Sequence, residues 1–267
     1  ADALHLLCDR LLEFDTIDSV KLPGLTERRH PVLVGGLVML YACFELLEIE
    51  TLVVSPFALR EGVLYDLLGR QEQRDPREMT VEAFMQRYSV DREQARRVEE
   101  TALRAFDKVA DGLFLQPAHR QMLAWAADLH EVGLSVAHSL YHQHSGYLVE
   151  NSDMQGFTRQ EQLFLATLVR YQRRAIPGEY ADLLPARMHA ALRMTLMCLR
   201  FACILCRSRD DHTVPAFRLS ASDQNVTAGF DADWMEAHPL TLFDLRQESR
   251  ALAAIGLKFR ISGPPVA

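Results

Sequence analysis

Apolar positions in the first 70 residues recur at helical spacing, except in one short run that is apolar almost throughout. Leucines three and four residues apart predict a helix near the start, and Pro31 opens a longer apolar helix that reaches about residue 47. The run 51–55 predicts a strand, and 58–68 predicts a helix. Because a lone strand cannot satisfy its own backbone hydrogen-bonding groups, we expect its partner strands to lie before Ala1.

From about residue 76 to residue 211, polar and apolar positions follow a helical period almost throughout. Thr158 and Glu161 match a capping box, in which each side chain accepts a hydrogen bond from the other residue's backbone N–H. Pro185 suits the first turn of the last long helix. The predicted helices cover 79–88, 91 to about 113, 117–131, 158 to about 174 and 185–207.

Beyond residue 211 the pattern changes to shorter runs. Residues 216–220 and 225–230 predict the two strands of a hairpin, 238–255 predicts a helix, and 258–261 predicts a third short strand. The chain is therefore predicted to be mainly α-helical, with the tail of an α/β domain at its start and a small α+β segment at its end.

Composition places the chain among folded proteins, since 49% of its 267 residues are hydrophobic and 24% are charged. No stretch approaches 18 uncharged apolar residues, so no transmembrane segment is predicted, and the start lacks the order of a signal peptide. The five cysteines suit neither a disulfide framework nor a zinc site. We therefore expect reduced thiols and a cytoplasmic protein.

Charge is distributed unevenly along the chain. The net charge of −7 argues against broad nucleic-acid binding. Between Arg159 and Arg209, however, there are nine arginines, no lysine and only three acidic residues, which is a local balance of +6. A basic region on an acidic protein either attracts a particular anion or is a solvated helix face.

The densest chemistry is a histidine cluster, in which His130 and Glu131 are followed by His138, His142 and His144. In HD-type phosphohydrolases a His-Asp pair binds a metal ion that activates water. Here the second member of the pair is Glu131. The pair lies in the predicted helix 117–131, and the preceding predicted helix, 91 to about 113, contains no histidine. Three interpretations stay open: histidines that pack the domain through hydrogen bonds, histidines that help to hold a polyanion, and a catalytic metal site.

Glycines and arginines supply further candidates for phosphate contacts. Gly35 and Gly36 lie inside a predicted helix, where glycine costs about 1 kcal/mol relative to alanine, so we expect a sheet or a phosphate group to approach closely there. Arg60 follows the predicted strand, either near an anion-binding cleft or on the surface. Five more arginines end predicted helices, where they either complement the helix dipole or bind phosphate oxygens. They are Arg170, Arg173, Arg174, Arg207 and Arg209.

Motifs spread along the whole chain occur in an order that is typical of one family. They include Pro31-Val-Leu-Val-Gly-Gly36, Ala126-Ala-Asp-Leu-His-Glu-Val-Gly-Leu-Ser135, Phe157-Thr-Arg-Gln-Glu161 and His238-Pro-Leu-Thr241. In these motifs the chain resembles the exopolyphosphatase/guanosine pentaphosphate phosphohydrolase family. Leu140 departs from the pattern, because the family usually has glycine there.

The resemblance implies three parts. Residues 1–72 would be the C-terminal part of a second actin-like (sugar kinase/Hsp70/actin-type) α/β domain, 76–211 an HD-like all-helical domain, and 212–267 a small α+β domain. The first actin-like domain, with the family's catalytic glutamate, is expected upstream of Ala1. Within the chain, therefore, no catalytic residue and no metal ligand is predicted, and His130 and Glu131 are an HD-like pair without the metal.

The resemblance also implies an activity. We expect the C-terminal region of an exopolyphosphatase, which releases orthophosphate from inorganic polyphosphate and would be inactive alone. The alternatives are a guanosine pentaphosphate phosphohydrolase and a non-catalytic polyphosphate-binding or regulatory module. The whole enzyme would use Mg²⁺, bound mainly by the upstream domain, and form a cytoplasmic homodimer, with peripheral membrane association left open. The residues expected to bind polyphosphate are Gly35, Gly36, Arg60, His138, His142, His144, Arg170, Arg173, Arg174, Arg207 and Arg209.

Overall fold

The computed structural model describes residues 2–49, 51–52, 75–110, 115–210, 214–222 and 224–263. These residues fall into two units, Ala1–Asp66 and Leu67–Ala267, called here the N-terminal unit and the C-terminal unit. Most of the predicted strand at 51–55, the predicted helix at 58–68 and Arg60 lie outside the described residues. The actin-like assignment of this part of the chain therefore stays a prediction.

Two helices form most of the described N-terminal unit, namely α1 (Asp2–Leu12) and α2 (His30–Leu46). Pro31 stands in the first turn of α2, where a helix does not need its N–H group. A contact of 3.0 Å between the Tyr41 hydroxyl and His5 Nε2 joins the two helices. Both helices confirm the sequence prediction.

Two helical segments of the described chain have the length and hydropathy of a membrane span. One is Ala186–Leu205, of which 67% is buried inside the C-terminal unit. The other is Glu27–Leu46, which includes α2 and of which only 6% is buried. Length and composition alone are weak evidence for a span, because the core helix of a soluble protein has the same properties.

The C-terminal unit consists largely of helices around one apolar core. They are α3 (Pro76–Arg87), α4 (Arg92–Val109), α5 (Pro117–Leu129), α6 (Tyr141–Asn151), α7 (Arg159–Tyr171) and α8 (Ala186–Leu205). The carboxylates of Asp75 and Asp91 cap α3 and α4 by accepting backbone hydrogen bonds. The predicted capping box begins α7, since Glu161 N–H donates to Thr158 Oγ1 (3.3 Å) and Thr158 N–H donates to Glu161 Oε2 (2.8 Å).

After α8 the chain forms a small sheet that packs against that helix. Its elements are β1 (Phe217–Ser222), β2 (Asn225–Phe230), α9 (Ala232–Ala237), α10 (Pro239–Ala253) and β3 (Lys258–Ser262). β1 and β2 form the predicted antiparallel hairpin, and β3 runs parallel to β2 because α9 and α10 carry the chain back across the sheet. The ring of Phe201 on α8 contacts one phenylalanine ring on each strand, with centroids 5.0 to 6.2 Å apart.

Several predicted helix ends differ from the structure. α7 ends at Tyr171 rather than at 174, because the chain leaves the helix and reaches a φ of +66° at Arg174. α8 ends at Leu205, two residues before the predicted end. The helix predicted over 238–255 begins at Pro239, after the separate short helix α9. Of the arginines expected at the ends of these helices, Arg170 lies in the last turn of α7, and the other four lie in the turns that follow α7 and α8.

Leu140, at the N-cap of α6, lies in the left-handed region (φ 55°, ψ 27°) and is 60% exposed. This conformation costs a residue other than glycine about 1–2 kcal/mol, while glycine loses more backbone entropy on folding. We expect Leu140→Gly to raise the free energy of unfolding by about 0.5–1 kcal/mol, measured by urea denaturation. A less stable variant would show that contacts of the leucine side chain outweigh the backbone strain.

Candidate functional site

An open cavity of about 690 Å³ lies between the turn that follows α7, the end of α8, α10 and the residues that follow α5. Its wall is made by side chains that are far apart in the sequence. Seven of the residues singled out from the sequence line it, namely His130, Glu131, His138, Arg173, Arg174, Arg207 and Arg209. The volume falls within the range of small-molecule sites, which is about 300–1,000 Å³.

His130 is a buried, neutral member of this wall. The residue is 2% exposed, and its Nδ1 lies 2.5 Å from the carbonyl oxygen of Ala127. Since a carbonyl oxygen only accepts, Nδ1 carries the proton of this hydrogen bond. Burial lowers the pKa of His130, against the opposing charge of Glu131, so the ring is neutral at pH 7. Its Nε2 lies 3.9 Å from Glu131 Oε1.

The backbone of His130 is held by a small set of buried polar groups. The hydroxyl of Ser145 donates to the carbonyl of His130 over 3.1 Å and accepts from the N–H of Gly133 over 2.8 Å. The amide of Gln172 donates to the same carbonyl. These contacts join α6 and the end of α7 to the residues after α5, so two other parts of the fold hold the His130–Glu131 turn.

Arg209 neutralises the carboxylate of Glu131. Its Nη2 donates to Oε1 over 2.7 Å and to Oε2 over 2.8 Å, and its Nη1 donates to Asp91 Oδ2 over 2.8 Å. Burial lowers the pKa of Arg209, but the hydrogen bonds and charges of Glu131 and Asp91 outweigh burial, so the pKa is raised. Arg209 is therefore a permanent cation whose charge is balanced by the carboxylates of Glu131 and Asp91.

The donor set of the cavity does not fit a metal ion. Both carboxylate oxygens of Glu131 accept from Arg209, and Glu131 Oε1 lies 3.9 Å from Nε2 of His130. Within the described ranges, no three His, Cys, Asp or Glu side chains are grouped so as to hold a metal. The HD-type metal centre, which the sequence left open, therefore has no support in this wall, and neither does a site for Mg²⁺.

Two of the five arginines in the wall have no carboxylate partner. Its three carboxylates, Glu131, Asp244 and Glu248, each bind one guanidinium, those of Arg209, Arg207 and Arg200 respectively. Arg173 and Arg174 remain, and among the described residues neither forms an ion pair. Arg173 lies 5.0 Å from the centroid of the Tyr141 ring, a cation–π contact. The excess positive charge of the cavity is thus concentrated in the turn after α7.

His142 lies close to this positive charge. It is 3% exposed, and its pKa is lowered to about 4 by burial and then by the charges of Arg173, Arg174 and Arg200. The imidazole is therefore neutral at pH 7 and adds no positive charge of its own. Among these three arginines, only Arg200 has a carboxylate partner within the described residues, namely Glu248.

The other candidates from the sequence lie elsewhere. His142, His144 and Arg170 are not part of the cavity wall, and Arg170 forms an ion pair of 2.7 Å with Glu150. Gly35 and Gly36 belong to α2 in the N-terminal unit. A Cβ atom added to either glycine would have no neighbour within 4 Å, so no described group approaches them closely.

Four important residues of the wall were missed from the sequence, namely Tyr141, Gln172, Arg200 and Glu248. Arg200 had a detectable signal, because it is a single charged residue within the apolar run that forms the second half of α8. The other three have polar neighbours along the chain, so nothing in their local sequence distinguishes them.

Comparison with protein families matches residues 77–249 to the description "Ppx/GppA phosphatase, domain III" and residues 1–71 to "Ppx/GppA phosphatase family". A guanosine-5′-triphosphate,3′-diphosphate pyrophosphatase from Pseudoalteromonas translucida is 34% identical over 262 residues, which cover 98% of this chain and 52% of that protein. A protein of the same name from Aeromonas hydrophila is 35% identical over 262 residues, covering 97% and 52%. The chain spans about half the length of the curated relatives it matches.

Proposed function

Because this chain belongs to the Ppx/GppA phosphatase family, we propose that it is part of a phosphohydrolase that acts on guanosine pentaphosphate, and that its cavity holds phosphate groups of that substrate. The resemblance stated from the sequence is confirmed at the level of the family. The sequence favoured inorganic polyphosphate and kept guanosine pentaphosphate as the alternative. The names of the similar proteins favour the alternative.

The observation that carries this proposal is the pair Arg173 and Arg174. Both line the cavity, and within the described chain neither has a carboxylate partner. Guanidinium groups present a planar fork of N–H donors that matches phosphate oxygens. A ligand with two or three phosphate charges would supply the counter-charge that the three carboxylates of the wall do not, since those already bind Arg200, Arg207 and Arg209.

In this proposal the residues of the cavity bind and orient the substrate and do not break its bonds. His130 is neutral and buried, Glu131 is neutralised by Arg209, and the wall does not fit Mg²⁺. We therefore assign no step of hydrolysis to the cavity and expect the reacting groups and Mg²⁺ outside the described residues. The homodimer stays a prediction.

Inorganic polyphosphate is the second candidate ligand. The segment 159–209 carries a balance of +6 in the sequence, although Arg200, Arg207 and Arg209 pair with carboxylates outside it. A polymer that passes through the cavity would contact Arg173 and Arg174 as a nucleotide would, and its binding would weaken with salt, by analogy with nucleic acids. The two ligands are distinguished by the dependence of affinity on chain length, because a nucleotide site gains nothing beyond the first few phosphates.

The decisive variant is Arg174→Gly, because glycine accepts the positive φ of this position without strain. We expect the variant to be at least as stable as the wild type, yet to bind guanosine pentaphosphate about 10-fold more weakly, since a charge-assisted hydrogen bond contributes about 1.5–3 kcal/mol. Isothermal titration calorimetry with guanosine pentaphosphate, GTP and long-chain polyphosphate would measure the affinities.

Arg250→Ala is the matched control, because Arg250 is an exposed arginine on α10 outside the cavity wall. Its affinities should equal those of the wild type. Tighter binding of polyphosphate than of guanosine pentaphosphate would favour the second candidate. Equal binding by wild type and Arg174→Gly would show that the cavity does not hold phosphate groups.

A further inference from the structure

Arg200 is the most buried charged side chain of the cavity wall, with 2% exposure on the apolar helix α8. Its Nε and Nη2 donate to the two carboxylate oxygens of Glu248 on α10. Its Nη1 donates to the carbonyl of Tyr171, and its Nη2 also donates to the carbonyl of Arg174 over 2.8 Å. One guanidinium thus joins α8, α10 and the turn after α7.

The two carbonyl groups bound by Arg200 belong to the segment that carries the unpaired arginines. Tyr171 is the last residue of α7, and the last carbonyls of a helix have no partner within it. Arg174 has a positive φ, a conformation that residues other than glycine rarely adopt. The turn is therefore held by bonds from Arg200 at its first and last residues, while the intervening Arg173 contacts Tyr141.

We propose that Arg200, held by Glu248, is a positioning residue for phosphate binding. It fixes the turn 171–174 in the conformation that places Arg173 and Arg174 in the cavity wall. Because Glu248 lies on α10, the affinity of these two arginines for phosphate then depends on how α10 packs against α8. This inference rests on the proposed function, because it needs an anion in the cavity. A solely structural ion pair would instead support the core without affecting how an anion binds.

The experiment uses the whole chain and inorganic tripolyphosphate as the probe. Arg200→Met alone would leave Glu248 buried without a partner, so it is combined with Glu248→Met, since replacing both members of a buried ion pair by apolar residues commonly preserves stability. We expect the double variant to keep its helical circular dichroism and to bind tripolyphosphate at least 10-fold more weakly. Hydrogen exchange of the amides at 171–176 should become faster.

A double-mutant cycle separates positioning from a general structural role. The Met pair is introduced a second time into a chain that carries Arg173→Ala and Arg174→Gly. If Arg200 acts through those two side chains, the Met pair should change the remaining affinity less than 2-fold in this background. An equal loss of affinity in both backgrounds would overturn the proposal, and so would unchanged affinity in the first background.

Glu248→Gln serves as a milder second variant, because it keeps the volume of the side chain and one acceptor for Arg200. It should weaken tripolyphosphate binding about 3-fold, and wild-type binding by this variant together with wild-type exchange at 171–176 would contradict the positioning role. Absence of binding by the wild type itself would overturn the proposed function, and this inference with it. Binding by the wild type that the Met pair leaves intact would overturn this inference alone.

Discussion

Replacing Gly133 by alanine is expected to lower the free energy of unfolding of the C-terminal unit by about 3 kcal/mol or more. An added Cβ atom would lie 2.1 Å from the carbonyl oxygen of Tyr141 and 2.4 Å from the backbone nitrogen of Ser145. Both are backbone atoms, so no side-chain rotation relieves the overlap and α6 would have to move. Thermal and urea unfolding followed by circular dichroism would measure the loss.

Gly178→Ala is the matched control for this substitution. A Cβ atom at Gly178 has no neighbour within 4 Å, and its φ is not positive, so alanine should change the free energy of unfolding by less than about 0.5 kcal/mol. If Gly133→Ala were as stable as Gly178→Ala, α6 would not pack on the His130–Glu131 turn as closely as described. The hydrogen bond between Ser145 and the carbonyl of His130 would then also be in doubt.

Asp128→Asn is expected to make the chain more stable at pH 8 and to change it much less at pH 5. Asp128 lies beside a cavity of about 480 Å³ whose wall also contains Glu82 and Glu99. Its pKa is raised to about 7 by burial, then by the charges of Glu99 and Glu82, with Arg92 acting in the opposite direction. The uncharged carboxyl is therefore the form that the folded state favours.

The sign of the pH effect follows from the pKa of Asp128 in the folded state and in the unfolded state. Below about pH 4 Asp128 is protonated in both states, and between about pH 4 and 7 only the unfolded chain releases the proton. The wild type therefore loses stability as the pH rises to about 7 and changes little above it. The Asn variant lacks this loss, so its advantage should grow by about 2.5 kcal/mol from pH 5 to pH 8.

Urea denaturation at several pH values would measure this difference. Asp182→Asn is the control, because Asp182 is an exposed carboxylate outside that acidic cavity. Its stability should follow that of the wild type at every pH. An advantage of Asp128→Asn that stays constant between pH 5 and pH 8 would show that Asp128 titrates in its ordinary range.

The parts of the fold that were predictable from sequence depend on local contacts. The capping box of α7 needs only Thr158 and Glu161, three residues apart, and the hairpin of β1 and β2 needs two alternating strands joined by a turn. The parallel pairing of β3 was not predictable in the same way. It depends on how α9 and α10 pack, and the periodicity of a strand does not state which neighbour it joins.

The candidate site, too, was predictable only where neighbouring residues in the sequence are sufficient. Sequence alone indicated the histidine pair and the arginine-rich segment, and it could not tell which arginines keep a free charge. That property depends on acidic residues far along the chain, such as Glu131, 78 residues before Arg209, and Glu248, 48 residues after Arg200. Arg173 and Arg174 differ from the others because, among the described residues, the fold places no carboxylate partner beside them.

The expectation for the Gly35–Gly36 pair is one that the described residues do not test. Two glycines within a helix suggested the close approach of a sheet or a phosphate group. Outside the adjacent residues and the backbone of α2, no described atom lies within 4 Å of an added Cβ at either position, so the phosphate contact stays a prediction. The cost of placing glycine in a helix depends on the residue alone. Whether a close contact offsets that cost depends on the neighbouring groups, and the sequence does not show which groups those are.

The contact between α8 and the small sheet limits which segments could be exchanged between this protein and a relative without loss of packing. Phe201 packs against rings from all three strands, so each side of that contact covers the apolar surface of the other. A recombination event that brought in a foreign β1–β3 segment without its own α8 would pair two apolar surfaces that have not evolved together. A segment that is exchanged intact at this end of the molecule should thus begin upstream of Ala186, so that it contains α8 as well as the sheet.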